Sequence, residues 1–179
     1  METCMMYGAK ELVDSFNTVR KNTIAVAEDI PAEQYGYKAT ADVKSVGEML
    51  AHIAVSPDWQ IALHGAGITA TTFAMFQTRM AAAATEEQTL GTKDQIVAAL
   101  KEHGERFTAF VAGLDSATLA QTVSFPPPIQ PAQKTRFEML MSVKEHEMHH
   151  RAQLMLIERL LGIVPHGTRQ RQAAAAVRA

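Results

Sequence analysis

Between Thr135 and Leu161 apolar residues recur at intervals of three and four, and two histidines fall within the same stripe. That period is the signature of an amphipathic helix, in which each residue advances ~100° around the axis. His146 and His150 then lie ~40° apart, one turn above the other. Met139, Val143, Leu154, Ile157 and Leu161 fall within ~80° of His146, so the pair faces the direction of a core. His149 sits on the flank. Gly162 and Pro165 punctuate the end of the helix.

The same period recurs along the chain. Leu12, Phe16, Val19, Thr23, Val26 and Ile30 predict a helix over residues 9–29, stopped by Pro31. Residues 31–44 read as a turn region around Tyr35-Gly36-Tyr37, tyrosines placed to pack over the end of a bundle. Ser45-Val-Gly-Glu48 has a capping-box pattern and opens a second helix. Its stripe is Met49, His52, Ser56, Trp59 and Leu63, so His52 occupies an inward position. Pro57 either kinks this helix or divides it. A break follows at Gly65 and Gly67, and residues 73–84 predict a short helix that covers a cleft.

Thr92-Lys-Asp-Gln95 opens a third long helix, with Ile96, Leu100, His103, Phe107, either Phe110 or Val111, and Leu114 inward. His103 has no helical His or carboxylate partner four residues away and reads as a packed histidine. The linker over residues 115–133 carries Phe125-Pro-Pro-Pro-Ile-Gln-Pro131 and cannot be helical throughout. It is long enough to traverse a bundle or to add a strand-like flap near a site. The tail from Thr168 reads as a frayed end, a segment docked on a partner subunit, or a short helix from Gln172 onward. Four long amphipathic helices, with a long loop before the last, predict an all-α four-helix bundle in a single domain over residues 1–179.

Composition excludes several classes of function. Of 179 residues, 47% are hydrophobic and 20% charged, with a net charge of −2, which gives no electrostatic case for nucleic acid or an anionic membrane. No uninterrupted apolar run approaches the ~18 residues needed to span a bilayer. The lone cysteine, Cys4, leaves no intramolecular disulfide framework and reads as structural or incidental. The first residues lack the basic region and apolar core of a signal peptide, so the expected location is cytoplasmic.

Histidines on inward faces of two helices can meet inside a bundle. A His-x-x-x-His pair reaches one divalent ion from adjacent turns. Burying His52, His146 and His150 without partners would cost several kcal/mol in unmet hydrogen bonds, roughly 1–3 per group, and a shared metal removes that cost. These three are the candidate metal ligands. Glu147, His149 and Gln153 flank the pair as candidates to fix an imidazole tautomer. Glu48 reads as a capping residue, and Arg151 faces solvent or a neighbouring helix.

Ser45-Val-Gly-Glu-Met-Leu-Ala-His52-Ile and His146-Glu-Met-His-His150-Arg-Ala-Gln153, supported by Gly162-Ile-Val-Pro-His166, resemble the DinB-like (DinB/YfiT-like) metalloenzyme family over nearly the full chain. The resemblance implies a four-helix bundle, a homodimer, and a metal such as zinc or nickel held by His52, His146 and His150. Ala152 departs from the glycine that the family commonly has after the arginine, without touching the ligands. Three neutral ligands leave positions open, as catalytic sites do. The resemblance further implies a small-molecule substrate and an enzyme such as a low-molecular-weight-thiol S-transferase using a thiol cosubstrate. The alternatives are a metal-dependent hydrolase and a non-catalytic, metal-binding, stress-associated protein.

Overall fold

The structure, a computed structural model, describes residues 7–177; Cys4 lies outside them. In chain order the elements are α1 (Ala9–Asp29), α2 (Val46–Val55), α3 (Asp58–Gly65), α4 (Phe73–Thr89), α5 (Lys93–Ala112), α6 (Ser116–Ala120), β1 (Thr122–Ser124), β2 (Gln133–Thr135), α7 (Arg136–Leu160) and α8 (His166–Ala176). The fold is all-α. Helix α1 packs on α5 and α7, and α2 packs on the same two, which makes the bundle. Among the described residues no helix is long and apolar enough to cross a membrane.

Local chemistry explains the boundaries. Capping boxes at Ser45/Glu48, Thr92/Gln95 and Thr135/Glu138 open α2, α5 and α7. Pro57 divides the second predicted helix rather than kinking it: α2 ends at Val55 and α3 begins at Asp58. Helix α4 runs to Thr89, beyond the predicted end at Ala84, because Thr85-Glu-Glu-Gln contains no breaker before Leu90-Gly91. Helix α8 starts at His166 instead of Gln172. His166 Nε2 bonds Asn22 Oδ1 at 3.1 Å and Arg169 pairs with Asp29 at 2.7 Å, so α1 holds the first turns of α8 in place. Gly162 adopts φ +77°, the left-handed stop expected after α7.

Besides a small cluster of Leu63, Val123 and Met139, the core consists of two large apolar clusters. One gathers Val26, Ile30, Leu50, Ile53, Leu100, Leu154 and neighbours; the other gathers Leu12, Phe16, Phe107, Val111, Leu140 and Val143. Helices α1 and α7 run from the second cluster to the first, and α5 runs the opposite way. The linker after α5 therefore leaves and re-enters at the same end of the bundle. It does not traverse it. Within the linker β1 and β2 pair antiparallel, Val123 opposite Lys134, which is the flap that the sequence allowed.

Between the clusters lies a polar layer. Arg20 of α1 and Glu147 of α7 pair at 2.9 Å with side chains 5% and 0% exposed. Arg20 Nη1 donates to Leu100 O of α5 at 2.7 Å, and Nη2 donates to Ile53 O of α2 at 3.3 Å. A Cβ on Gly104 would stand 3.2 Å from Arg20 Cγ, so glycine there leaves room for the arginine stem. A second buried arginine, Arg136, bonds His64 Nδ1 at 2.7 Å, Gln121 Oε1 at 3.1 Å and Ile68 O at 2.9 Å, fastening the start of α7 to α3 and the linker.

Removing one member of a buried ion pair strands the other. Glu147→Gln is expected to lower unfolding free energy by ~3–5 kcal/mol in urea titration, and an Arg20→Met/Glu147→Leu double variant to recover part of that loss. Recovery stays partial because Arg20 also satisfies two carbonyls.

His64 sets a pH dependence. Its Nδ1 accepts from Arg136 and its buried Nε2 meets no partner; burial, then the Arg136 charge, push its pKa down to about 4. Between roughly pH 6.5 and 4 the unfolded chain takes up a proton that the native protein refuses, so stability falls as pH drops through that window. The urea midpoint of His64→Gln is expected to change less than that of wild type between those pH values.

Candidate metal centre

The capping box at Ser45 fixes where α2 begins. Ser45 N–H donates to Glu48 Oε2 at 2.6 Å and Glu48 N–H to Ser45 Oγ at 3.2 Å. Glu48 is therefore committed to the helix start. With the register set there, Met49, Leu50 and Ile53 enter the core, and His52 projects toward α7. On α7, Met139, Val143, Leu154 and Ile157 are buried, as the stripe predicts, and His146 and His150 share that side.

The three imidazoles meet. His52 Nε2 lies 3.2 Å from His146 Nε2, and His150 Nε2 lies 3.2 Å from the same atom. The three rings offer one ligand atom each, all within 4.8 Å of one another. Burial pushes the His146 pKa down to about 4, with the neighbouring His150, His52 and His149 adding to the shift. Burial likewise lowers His150, partly opposed by its bond to Gln153. At neutral pH both rings are uncharged.

The outer nitrogens decide which inner ones carry protons. His52 Nδ1 lies 2.8 Å from Glu87 Oε1, a carboxylate that can only accept, so Nδ1 holds a proton, and in the neutral ring Nε2 is the lone pair. Glu87 is itself paired with Lys44 at 3.2 Å. Gln153 Nε2 contacts His149 Nε2 at 3.3 Å, which orients the amide so that Oε1 accepts from His150 Nδ1 at 3.0 Å. His150 Nε2 is then a lone pair as well. Two lone pairs converge on His146 Nε2, which can supply at most one proton.

Of the flanking residues, Gln153 touches a triad ring and His149 contacts Gln153. Glu147 does neither, because its carboxylate is spent on Arg20. Arg151 donates to Val19 O of α1 at 3.0 Å, the neighbouring-helix alternative. His103 is buried, yet it has carboxylate neighbours from other helices: Asp58 Oδ2 lies 3.0 Å from Nδ1 and Glu86 Oε1 lies 3.7 Å from Nε2. Arg106 pairs with the same Asp58 oxygen at 2.9 Å, so this group forms an ion-pair network. His166 bonds Asn22 and takes no part in the triad.

Glu87 escaped sequence reasoning. It lies on the part of α4 beyond Ala84, and the adjacent acids Glu86-Glu87 were the one available signal. Placed against α2, α4 brings Glu87 to His52 and also roofs a cavity of about 320 Å³ beside the triad. His52 and His146 form one wall, and Val55, Trp59, Phe76 and Val143 line much of the rest.

The sequence model of the DinB superfamily matches residues 15–154, a span that begins within α1 and includes all three imidazoles. No curated protein matches the chain. Among solved structures it is similar to a DinB-like protein from Bacillus subtilis, with 22% identity and a TM-score of 0.64, covering 85% of this chain and 92% of that one. At that identity the likeness speaks for the fold. With a family match over most of its length, the chain belongs to the DinB superfamily.

Proposed function

We propose that His52, His146 and His150 hold one divalent metal ion through their Nε2 atoms, and that the protein is a metal-dependent enzyme acting on a small molecule. The observation that carries this reading is the convergence of lone pairs. Glu87 and Gln153 take the outer protons of two rings, leaving inner nitrogens that repel one another unless a cation lies among them. Neutral imidazoles suit zinc or nickel.

A divalent cation bound there supplies Lewis acidity and lowers the pKa of a thiol or water cosubstrate. The chain's own residues do the rest. Glu87 and Gln153 hold two rings in the ligating tautomer, and α4 with Trp59 and Phe76 keeps the space beside the triad largely apolar. With no fourth protein ligand in the cluster among the described residues, we favour a low-molecular-weight-thiol S-transferase, since an apolar wall beside an open site favours a soft thiolate over bulk water.

Zinc titration of metal-stripped protein, with elemental analysis of the purified protein, is expected to give one ion per chain. His146→Ala or His150→Ala should abolish stoichiometric uptake, and His166→Ala should leave it intact. Wild-type protein that takes up neither zinc nor nickel would sink the ligand assignment. The transferase reading is tested separately: metal-loaded protein should conjugate an electrophile with glutathione, bacillithiol or mycothiol, and inactivity with all three rejects it.

The orienting role of Glu87 has its own signature. Glu87→Gln keeps the shape but replaces the ionised acceptor, and zinc affinity is expected to fall by roughly 10- to 100-fold with little change in Tm. An unchanged affinity would mean that His52 needs no help in fixing its tautomer.

A further inference from the structure

Helix α4 turns an apolar face toward a cavity. Phe76, Met80 and Ala83 recur at helical spacing, and all three line the space beside the triad. Every residue of α4 is half-buried or exposed, and Met80 is 72% exposed at the rim. Val55, Trp59 and Val143, from α2, α3 and α7, complete the walls. Apolar side chains that border a cavity forfeit dispersion contacts, which an apolar occupant restores. At the ~30 Å³ that a water-sized group takes up, about 320 Å³ holds roughly ten non-hydrogen atoms. That is the size of a small molecule and not of a peptide segment or a helix.

The charges around the cavity answer one another. Arg79 and Gln60 border it, but Arg79 Nε and Nη2 and Gln60 Oε1 are sealed from water, so those atoms face protein. Burial raises the Asp58 pKa, and the bond to His103 with the charges of His103, Arg106 and Arg79 more than offsets it. Asp58 therefore stays a carboxylate beside the arginine. The hydroxyls of Ser56 and Ser142 donate one turn back along their own helices, to Ile53 O at 3.1 Å and Met139 O at 2.6 Å. The polar end of the cavity is the triad, through His52 and His146.

We propose that this cavity binds an uncharged, largely apolar molecule of roughly ten non-hydrogen atoms, its body against Trp59, Phe76 and Val143 and its reactive end toward His52 and His146. An ion carried between these walls gives up its hydration and gains no partner charge, so anions and ammonium ions are the weaker ligands. Met80, unbranched and at the rim, adapts the mouth to bodies of different outline. That the end beside the triad is where chemistry occurs rests on the metal-dependent reading above; the binding itself does not.

Trp59 is the single tryptophan of the chain and lines the cavity, so its emission reports occupancy. Metal-stripped protein is titrated near neutral pH with 4-phenylbutanol, 4-phenylbutyrate and 4-phenylbutylamine, which share one body and differ in charge. The alcohol is expected to saturate the signal at least about tenfold more tightly than either ion, and to raise hydrogen-exchange protection along α4. Ala83→Phe, which fills the cavity, should weaken the alcohol at least about tenfold, and Ala83→Leu should weaken it less. Ala81→Phe, on the exposed side of α4, should leave it unchanged. Thermal unfolding establishes that each variant is folded. No saturable change, an ion that binds as tightly as the alcohol, or unaltered binding in the folded Ala83 variants overturns the proposal. Charge-selective binding in a protein that takes up no metal upholds it while removing the metal reading; zinc uptake without such binding does the reverse.

Discussion

The bundle is organised around one guanidinium. Arg20 reaches from α1 to a carboxylate on α7, a carbonyl on α5 and a carbonyl on α2, so a single side chain contacts every other bundle helix. Two apolar clusters of similar composition could slide along each other with little change in buried area, since hydrophobic burial is non-directional. A buried ion pair with directed hydrogen bonds permits one register only. This pair therefore sets the height at which α2 and α7 face one another, and with it the meeting of His52 with His146. Glu147 immediately follows His146 on α7, and Ile53 immediately follows His52 on α2. Both neighbours of the triad are held by Arg20.

The contrast with Glu158 shows that pairing, and not burial alone, makes Glu147 an anchor. Glu158 is equally buried, and neither of its oxygens finds a donor. Burial, with Asp29 adding repulsion, raises its pKa to about 7. The protein thus carries one buried acid as a committed ion and another as a group close to its own titration point. The first can fix geometry. The second cannot, because losing its proton near neutrality leaves a charge without a partner.

What the sequence made legible follows from what periodicity encodes. Helix faces repeat every few residues, so the stripes of α1, α5 and α7, the capping boxes and the inward positions of His52, His146 and His150 were all readable. Periodicity says which face a residue occupies and says nothing about which distant residue it will meet. Arg20 and Arg136 lie on helix faces whose apolar neighbours imply burial, yet no local signal names Glu147 or His64 as their partners. Glu87 was out of reach for a related reason: its role depends on α4 continuing past Ala84 and lying across α2. His103 reads as a packed histidine in the sequence, and it is buried; its carboxylate neighbours come from α3 and α4, where four-residue spacing does not apply.

The distribution of charge separates structural from functional polarity in this fold. Arg20 with Glu147 and Arg169 with Asp29 are matched sets, each cation facing its anion. Beside α4 the matching stops. The imidazoles of His52, His146 and His150 turn their Nε2 atoms on one another with no anion among them. That deficit calls for a cation. Relaxation of the fold alone does not cancel it, because two of the rings are held by Glu87 and Gln153. The cavity beside the triad is walled chiefly by apolar side chains, which keep bulk water from taking the place of that cation's ligand.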